Sequence, residues 1–264
     1  MENRVLGRSG LHVTEISLTN LGTLELDPKQ IHLWSAPLDL PEGLVADLSR
    51  LLCPTEQEKV ARFIFEHDRR RSIVSRGILR ILLGRYSAVP ASQLQFEYTA
   101  QGKPSLCGLP LHFNVAHSHE QLLIAVTAER PVGVDIEWKA PLPDWDRLAT
   151  RFFSSAETTA LQRLEASQQL DGFYNCWTRK EAYLKATGTG LSAPLKGFTV
   201  SVEPADSKSA RMLEIGGNVD AAAEWRIYDV APAPGYAGAV AVQADSLTVR
   251  CRELIVDDIG SFAP

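Results

Sequence analysis

Apolar residues recur along the chain with two periods. Short runs such as IHLW from residue 31, LHFNVAHS from 111 and LLIAVTAERPVGVDIEW from 122 alternate or stay apolar throughout, and FTVSVE, EWRIYDV, YAGAVAVQ and LTVRCREL repeat the pattern in the last third. Runs of this kind read as strands. Between them the spacing is helical. CPTEQEKVARF opens a helix with Thr55 as its expected N-cap and Glu56 and Glu58 in the first turn, where the helix dipole favours them. The next helix is expected over Arg69 to Tyr86, with Val74, Ile78, Ile81 and Leu82 as its core stripe and Arg69, Arg76 and Arg80 opposite. SSAETTALQRL carries a capping-box signature from Ser154 to Glu157, and DGFYNCWTRKEAYLKATG reads as a longer helix stopped by Gly188.

Strand, two helices and strands therefore occur twice. The expected fold is α+β, two similar α+β halves related by a pseudo-two-fold, with residues 30–138 as the first half and 139–264 as the second. Residues 1–29 stand before them as an extension without an assigned role. Its V-L-G-R-S-G-L-x-V stretch resembles the opening of aldo-keto reductases, but the long alternation of strands and helices that such a fold needs does not follow.

Composition narrows the class. With 45% hydrophobic and 22% charged residues in 264, the chain is that of an ordinary globular protein. A net charge of −5 argues against a nucleic-acid binder or a protein held on an anionic membrane. Cys53, Cys107, Cys176 and Cys251 form no CxxC pair, so reduced thiols in a cytoplasmic protein are expected. No apolar stretch approaches the roughly 18–20 residues that span a bilayer.

The stretch GVDIEW, residues 133–138, poses the chemical question. In a strand Asp135 and Glu137 point to the same face, with Val134, Ile136 and Trp138 toward the core. Two neighbouring carboxylates in an apolar run call for a cation. Glu181, four residues after Trp177, lies near the inward face of the long helix and supplies a third carboxylate, although an i,i+4 pair with Lys185 would also account for it. Three carboxylates on two elements suit magnesium, a hard ion that binds through carboxylates and substrate phosphates. Arg69, Arg70 and Arg71, followed by Ser72, are placed at a helix start, where guanidinium and free N–H groups can hold an anion or form a merely solvated face. Lys103 in QGKP and His117 in FNVAHS admit equally plain readings when taken singly.

In their order and spacing, QGKP, FNVAHS, GVDIE, FFSSAE and WTRKEAYLKATGTGL resemble the 4′-phosphopantetheinyl transferases of the two-halved, surfactin-synthetase-activating type, over about residues 30–250. The resemblance implies that Asp135, Glu137 and Glu181 hold Mg2+ against the pyrophosphate of coenzyme A, and that Lys185 and His117 contact that pyrophosphate. It places Lys59, Arg71, Ser72 and Lys103 at the nucleotide and its 3′-phosphate, and makes Glu157 and Glu181 candidates for the base. Ala116 departs from the family, where many members have serine, and Glu56 departs where some have lysine. The implied reaction is attack by a serine of an apo acyl or peptidyl carrier protein on coenzyme A, releasing 3′,5′-ADP, by a monomer whose site lies in the cleft between the halves. The carrier would dock on apolar and basic surface beside that cleft. Competing readings are a magnesium enzyme hydrolysing a nucleotide pyrophosphate and a carrier-binding protein without catalysis; a binding role alone gives no reason to cluster three carboxylates.

Overall fold

The structure, a computed structural model, describes residues 3–6, 11–190, 193–203 and 210–258. Residues 7–10 of the opening V-L-G-R-S-G stretch and Leu191, the end of WTRKEAYLKATGTGL, lie outside the described residues, as do 1–2, 192, 204–209 and 259–264. The first part of the chain forms β1 (Asn3–Leu6), β2 (Leu11–Ser17), β3 (Gln30–Pro37), α1 (Glu42–Arg50), α2 (Pro54–Ala61), α3 (Glu66–Ser87), β4 (Phe96–Tyr98), β5 (Pro104–Leu106), β6 (His112–Ser118), β7 (Gln121–Thr127) and β8 (Val132–Trp138). The rest forms α4 (Trp145–Phe152), α5 (Ser155–Arg163), α6 (Ala166–Thr187), β9 (Phe198–Val200), β10 (Met212–Ile215), α7 (Val219–Ala223), β11 (Trp225–Val230), β12 (Tyr236–Gln243) and β13 (Thr248–Ile255).

Two sheets pack between two long helices. The larger has the order β1-β2-β13-β3-β7-β6 and the smaller β11-β12-β8. Val74, Ile78, Ile81 and Leu82 of α3 bury against Trp34, Phe113, Ile124 and Val126 on the outer face of the larger sheet. Between the sheets, Ile31, Leu33, Leu123 and Ala125 meet Val132, Val134, Ile136 and Val240. Cys176, Ala182 and Ala186 of α6 cover Ala237, Ala239 and Ala241 on the far face of the smaller sheet. The alternation of β8 makes this layering possible, because 132, 134 and 136 go to the inter-sheet core and 133, 135 and 137 go toward α6.

The sheets are also stitched edge to edge. Where β6 runs beside β8, Asn114 Oδ1 accepts the Val134 N–H at 2.8 Å and Ser118 Oγ accepts the Trp138 N–H at 3.0 Å, so side chains replace a backbone ladder. The boundary placed at residue 138 falls at the end of β8, which pairs with β12 along its whole length. β13 returns to the larger sheet and runs parallel to both β3 and β2. Part of the 1–29 extension is thereby built into the fold: β2 covers what would be an open edge of β13, and Val13, Leu18 and Leu21 are buried.

Several local expectations change. The N-cap of α2 is Cys53, not Thr55, because Pro54 is preorganised for the first helical position and the Glu56 carboxylate receives the Cys53 N–H at 3.0 Å. α3 begins at Glu66, so Arg69 already donates its N–H to Phe65 O, and Arg69–Ser72 offer no free helix-start amides. Arg80 is not on a solvated face; it is 1% exposed and pairs with Glu56 at 2.7 Å. Trp138, at the end of β8, is 40% exposed and stacks on His119 instead of entering the core. The Ser154–Glu157 capping box and the Gly188 stop, with φ of 71°, are as expected.

One buried group carries a pH signature for the fold. His32 on β3 bonds Tyr86 Oη at 2.6 Å, and burial, aided by the Arg252 charge, pulls its pKa from 6.5 to about 3. Between those values the unfolded chain binds the proton and the folded one does not, so stability falls as pH drops. Urea midpoints measured from pH 7 to pH 4 should decline less steeply in His32→Gln than in wild type, and equal slopes would assign the acid sensitivity elsewhere.

Candidate active site

β8 and α6 touch at Gly133. A methyl group there would lie 2.0 Å from the Ala182 carbonyl oxygen and 2.3 Å from the Ala186 amide nitrogen, both immovable backbone atoms. Only glycine allows this approach. It brings the Asp135 and Glu137 face of β8 against the α6 segment that carries Glu181 and Lys185, the two residues beside those alanines.

Lys185 Nζ donates to Asp135 Oδ1 at 2.6 Å, while Asp135 Oδ2 is buried without a hydrogen-bond partner. Glu137 accepts the Ser118 hydroxyl at 3.1 Å, so β6 of the other sheet supports the second carboxylate. Burial raises the pKa of all three acids. The Asp135 charge raises Glu137 and Glu181 further, Glu181 adds to Glu137, and Lys185 partly offsets the rise at each. One ammonium thus faces three carboxylates, and a buried oxygen is left over. Among the described residues, no three acidic, histidine or cysteine side chains already converge as metal ligands do. The all-oxygen donor set, its mutual repulsion and the orphaned Asp135 oxygen nonetheless fit a hard divalent cation, for which Asp135, Glu137 and Glu181 are the available ligands.

His117 links this cluster to a pocket. Burial, then the charges of Lys185 and Arg71, hold its pKa below the usual histidine value, so the imidazole is neutral at pH 7. The pocket, about 230 Å³, is lined by Lys59, Ser72, Arg76, Tyr98, His117 and the turn through Gly102, among others. Lys59, Ser72 and His117 are therefore brought together. Arg71 acts electrostatically on His117, whereas its neighbours are engaged elsewhere: Arg69 pairs with Glu66 at 2.5 Å, and Arg70 with Glu42.

Two expected site residues have other occupations. Lys103 Nζ donates to Val132 O, Lys185 O and Ala186 O at 3.3, 2.6 and 3.1 Å, tying the β4–β5 turn to the start of β8 and the negative end of α6. Burial lowers its pKa to about 8, which still leaves it protonated at neutral pH. All three ammonium hydrogens are used within the chain, so Lys103 fastens the elements that carry the site. Glu157 is 1% exposed, with Lys180 Nζ at 2.6 Å and the backbone N–H groups of Ser154 and Val200 on its oxygens. It has no oxygen left for a substrate proton. Removing either partner of a buried pair like this costs about 3–5 kcal/mol, which is a structural reason for a glutamate in FFSSAE.

Known proteins resemble this chain over most of its length. The model for the 4′-phosphopantetheinyl transferase superfamily matches residues 131–241, and that for the 4′-phosphopantetheinyl transferase N-terminal region matches residues 43–130. The 4′-phosphopantetheinyl transferase HetI of Nostoc sp. is 37% identical over 223 residues, covering 83% of this chain and 90% of the relative. The chain belongs to the Sfp-like 4′-phosphopantetheinyl transferases. Sfp of Bacillus subtilis is 34% identical over 167 residues, covering 60% of this chain and 73% of its own. The L-aminoadipate-semialdehyde dehydrogenase-phosphopantetheinyl transferase of Xenopus laevis is 30% identical over 169 residues, covering 59% and 56%.

The family places phosphopantetheinyl transfer to carrier proteins on this fold, and the chain is an enzyme of that kind. The two family models meet between residues 130 and 131, just before β8. Among the described residues of the transferase, no helix is long and apolar enough to cross a membrane. Sequence reasoning missed Ser118 and Asn114. The alternation of FNVAHS could have found both, since it sends Asn114, Ala116 and Ser118 to the face opposite His117. Ala116 is buried between the sheets, so the hydroxyl that reaches the acidic cluster comes from Ser118.

Gly133→Ala tests the contact on which the site rests. The added methyl meets backbone on both sides, so the variant should lose about 1–3 kcal/mol of stability by urea denaturation. A wild-type midpoint would show that the close approach is not required.

Proposed function

We propose that this transferase moves the 4′-phosphopantetheine of coenzyme A to a serine of an apo acyl or peptidyl carrier protein, with Mg2+ held by Asp135, Glu137 and Glu181. The observation that carries this reading is the carboxylate cluster with its orphaned Asp135 oxygen, joined through His117 to a cationic pocket. A pyrophosphate donor needs such a pairing, a cation site at the reacting phosphate and a separate grip for the nucleotide. When bound, magnesium supplies positive charge to the pyrophosphate.

The chain's own residues do the rest. Serine Oγ forms a bond to the β-phosphorus, and the bond from that phosphorus to the leaving 3′,5′-ADP breaks. Glu181, partly buried on α6 across from Asp135, is the candidate base for the serine proton. Among the described residues it is the one carboxylate of the three with neither the Lys185 bond of Asp135 nor the Ser118 bond of Glu137. It takes the serine proton. Lys185, 30% exposed at its side chain, and neutral His117 offset charge on the departing phosphate. All these groups come from one chain, which supports a monomer as the working unit.

Mass spectrometry of intact apo carrier proteins incubated with the transferase, coenzyme A and magnesium should show the gain of one phosphopantetheine. EDTA should prevent that gain, and Asp135→Ala should slow it by on the order of a hundredfold or more. Release of 3′,5′-ADP without any change in the carrier would instead indicate hydrolysis, and an Asp135→Ala variant of near-normal rate would refute the cation site.

A further inference from the structure

Ser118, the last residue of β6, belongs to the sheet contact and to the acidic cluster at once. Its Oγ accepts the Trp138 N–H at 3.0 Å, and its single hydrogen goes to Glu137 Oε2 at 3.1 Å. One hydroxyl therefore bonds two consecutive residues of β8, whose side chains alternation sends to opposite faces. Engaged in both directions, it has its proton assigned to the carboxylate. Among the described residues Glu137 Oε1 has no hydrogen-bond partner, so the serine takes one carboxylate oxygen and leaves the other uncommitted.

The surroundings of this serine are held in place from outside. In the turn between β6 and β7, His119 takes a left-handed φ of 51° and lays its ring on Trp138, with centroids 5.4 Å apart and 24° between the planes. Glu120 donates its N–H to Tyr236 Oη at 3.3 Å, and the Tyr236 ring meets Trp138 edge-on at 4.9 Å. Gly235, with φ of 84°, stands so close to the indole that a methyl group there would lie 2.4 Å from it. Turn, indole and tyrosine thus fix Ser118 against the end of β8. Asn114 makes the companion bond between β6 and β8, to the Val134 N–H, and no carboxylate takes part in it. Joining the sheets requires only the bond to Trp138, so the second bond of Ser118 serves Glu137.

We propose that Ser118 is a positioning residue for the cation: it holds the Glu137 carboxylate in its binding orientation, so that the ion need not order a free side chain. This rests on the reading that Asp135, Glu137 and Glu181 hold Mg2+. Asp135 has the shorter side chain and is already fixed by Lys185, whereas Glu137 has one more rotatable bond and no ion pair among the described residues. Hydrogen bonds of this kind, made to a ligand and not to the metal, are commonly worth tenfold to a hundredfold in metal affinity. The Trp138 amide lies at the exposed end of β8, where water can replace a lost hydroxyl, so removing it leaves the fold standing.

The test is the dissociation constant of Mn2+, read from the free-ion signal in electron paramagnetic resonance with the transferase and coenzyme A present, alongside the Mg2+ dependence of transfer to a carrier. Ser118→Ala should weaken Mn2+ by roughly tenfold to a hundredfold. It should raise the Mg2+ needed for half-maximal transfer by a similar factor and affect the maximal rate far less. Ser118→Thr keeps the hydroxyl and should restore both. Asn114→Ala breaks the companion bond between the sheets, so it should lower the urea midpoint and leave the Mn2+ constant unchanged. An unchanged constant in Ser118→Ala, or an equal loss in Asn114→Ala, would make Ser118 a clasp between the sheets and overturn the assignment. Absence of Mn2+ binding by wild type would refute the cation site itself, and the role of Ser118 with it.

Discussion

The contact between Gly133 and the Ala182–Ala186 stretch of α6 is the constraint from which the site follows. With any side chain at 133 the helix would stand off from β8. Because helix and strand touch there, residues 135 and 137 of the strand and 181 and 185 of the helix must crowd together. The surrounding layers keep that geometry. The apolar face of β8 is locked between the sheets by Val132, Val134 and Ile136, and its open edge is held by Asn114 and Ser118. Lys103 fastens the C-terminal end of α6 to the beginning of the same strand.

That crowding has an electrostatic cost, which the protein distributes unevenly. Elsewhere its buried acids are compensated: Glu157 by Lys180, Asp229 by Arg179, Glu56 by Arg76 and Arg80. The Asp135 cluster differs, since Lys185 hydrogen-bonds only one of the three carboxylates, and burial, then the Asp135 charge, raises the other two. Charge left uncompensated at one place, while the other buried acids among the described residues are paired, is what an external cation and an anionic substrate would balance under the proposed function. Across His117 the imbalance has the opposite sign, with cations in excess around the pocket. A donor with its reacting phosphates at one end and a nucleotide at the other matches such a polarised surface.

The parts of this arrangement that were legible in the sequence are those set by local periodicity. The period of two in GVDIEW aligns Asp135 with Glu137, the helical spacing of WTRKEAYLKATG brings Glu181 and Lys185 to one side, and both survive in the structure. The Ser154 capping box and Gly188 stop were readable for the same reason. Roles fixed by distant partners were not. Lys103 finds its carbonyls 82 and 83 residues away, Arg80 its carboxylate 24 residues away on another helix, and Glu157 its ammonium 23 residues on. A lone charged residue in sequence has the same appearance whether it binds a ligand or a buried partner. The return of β13 to the larger sheet is likewise a pairing with β3 from the other end of the chain, which no local pattern encodes.

Manganese offers the most direct test of the central claim, as a magnesium substitute with an anomalous X-ray signal. In crystals of the transferase grown with coenzyme A and manganese, the account predicts one anomalous peak within coordination distance of Asp135, Glu137 and Glu181, with Lys185 moved off Asp135. Coenzyme A bound in the pocket with no peak there, or with a peak away from these carboxylates, would contradict it.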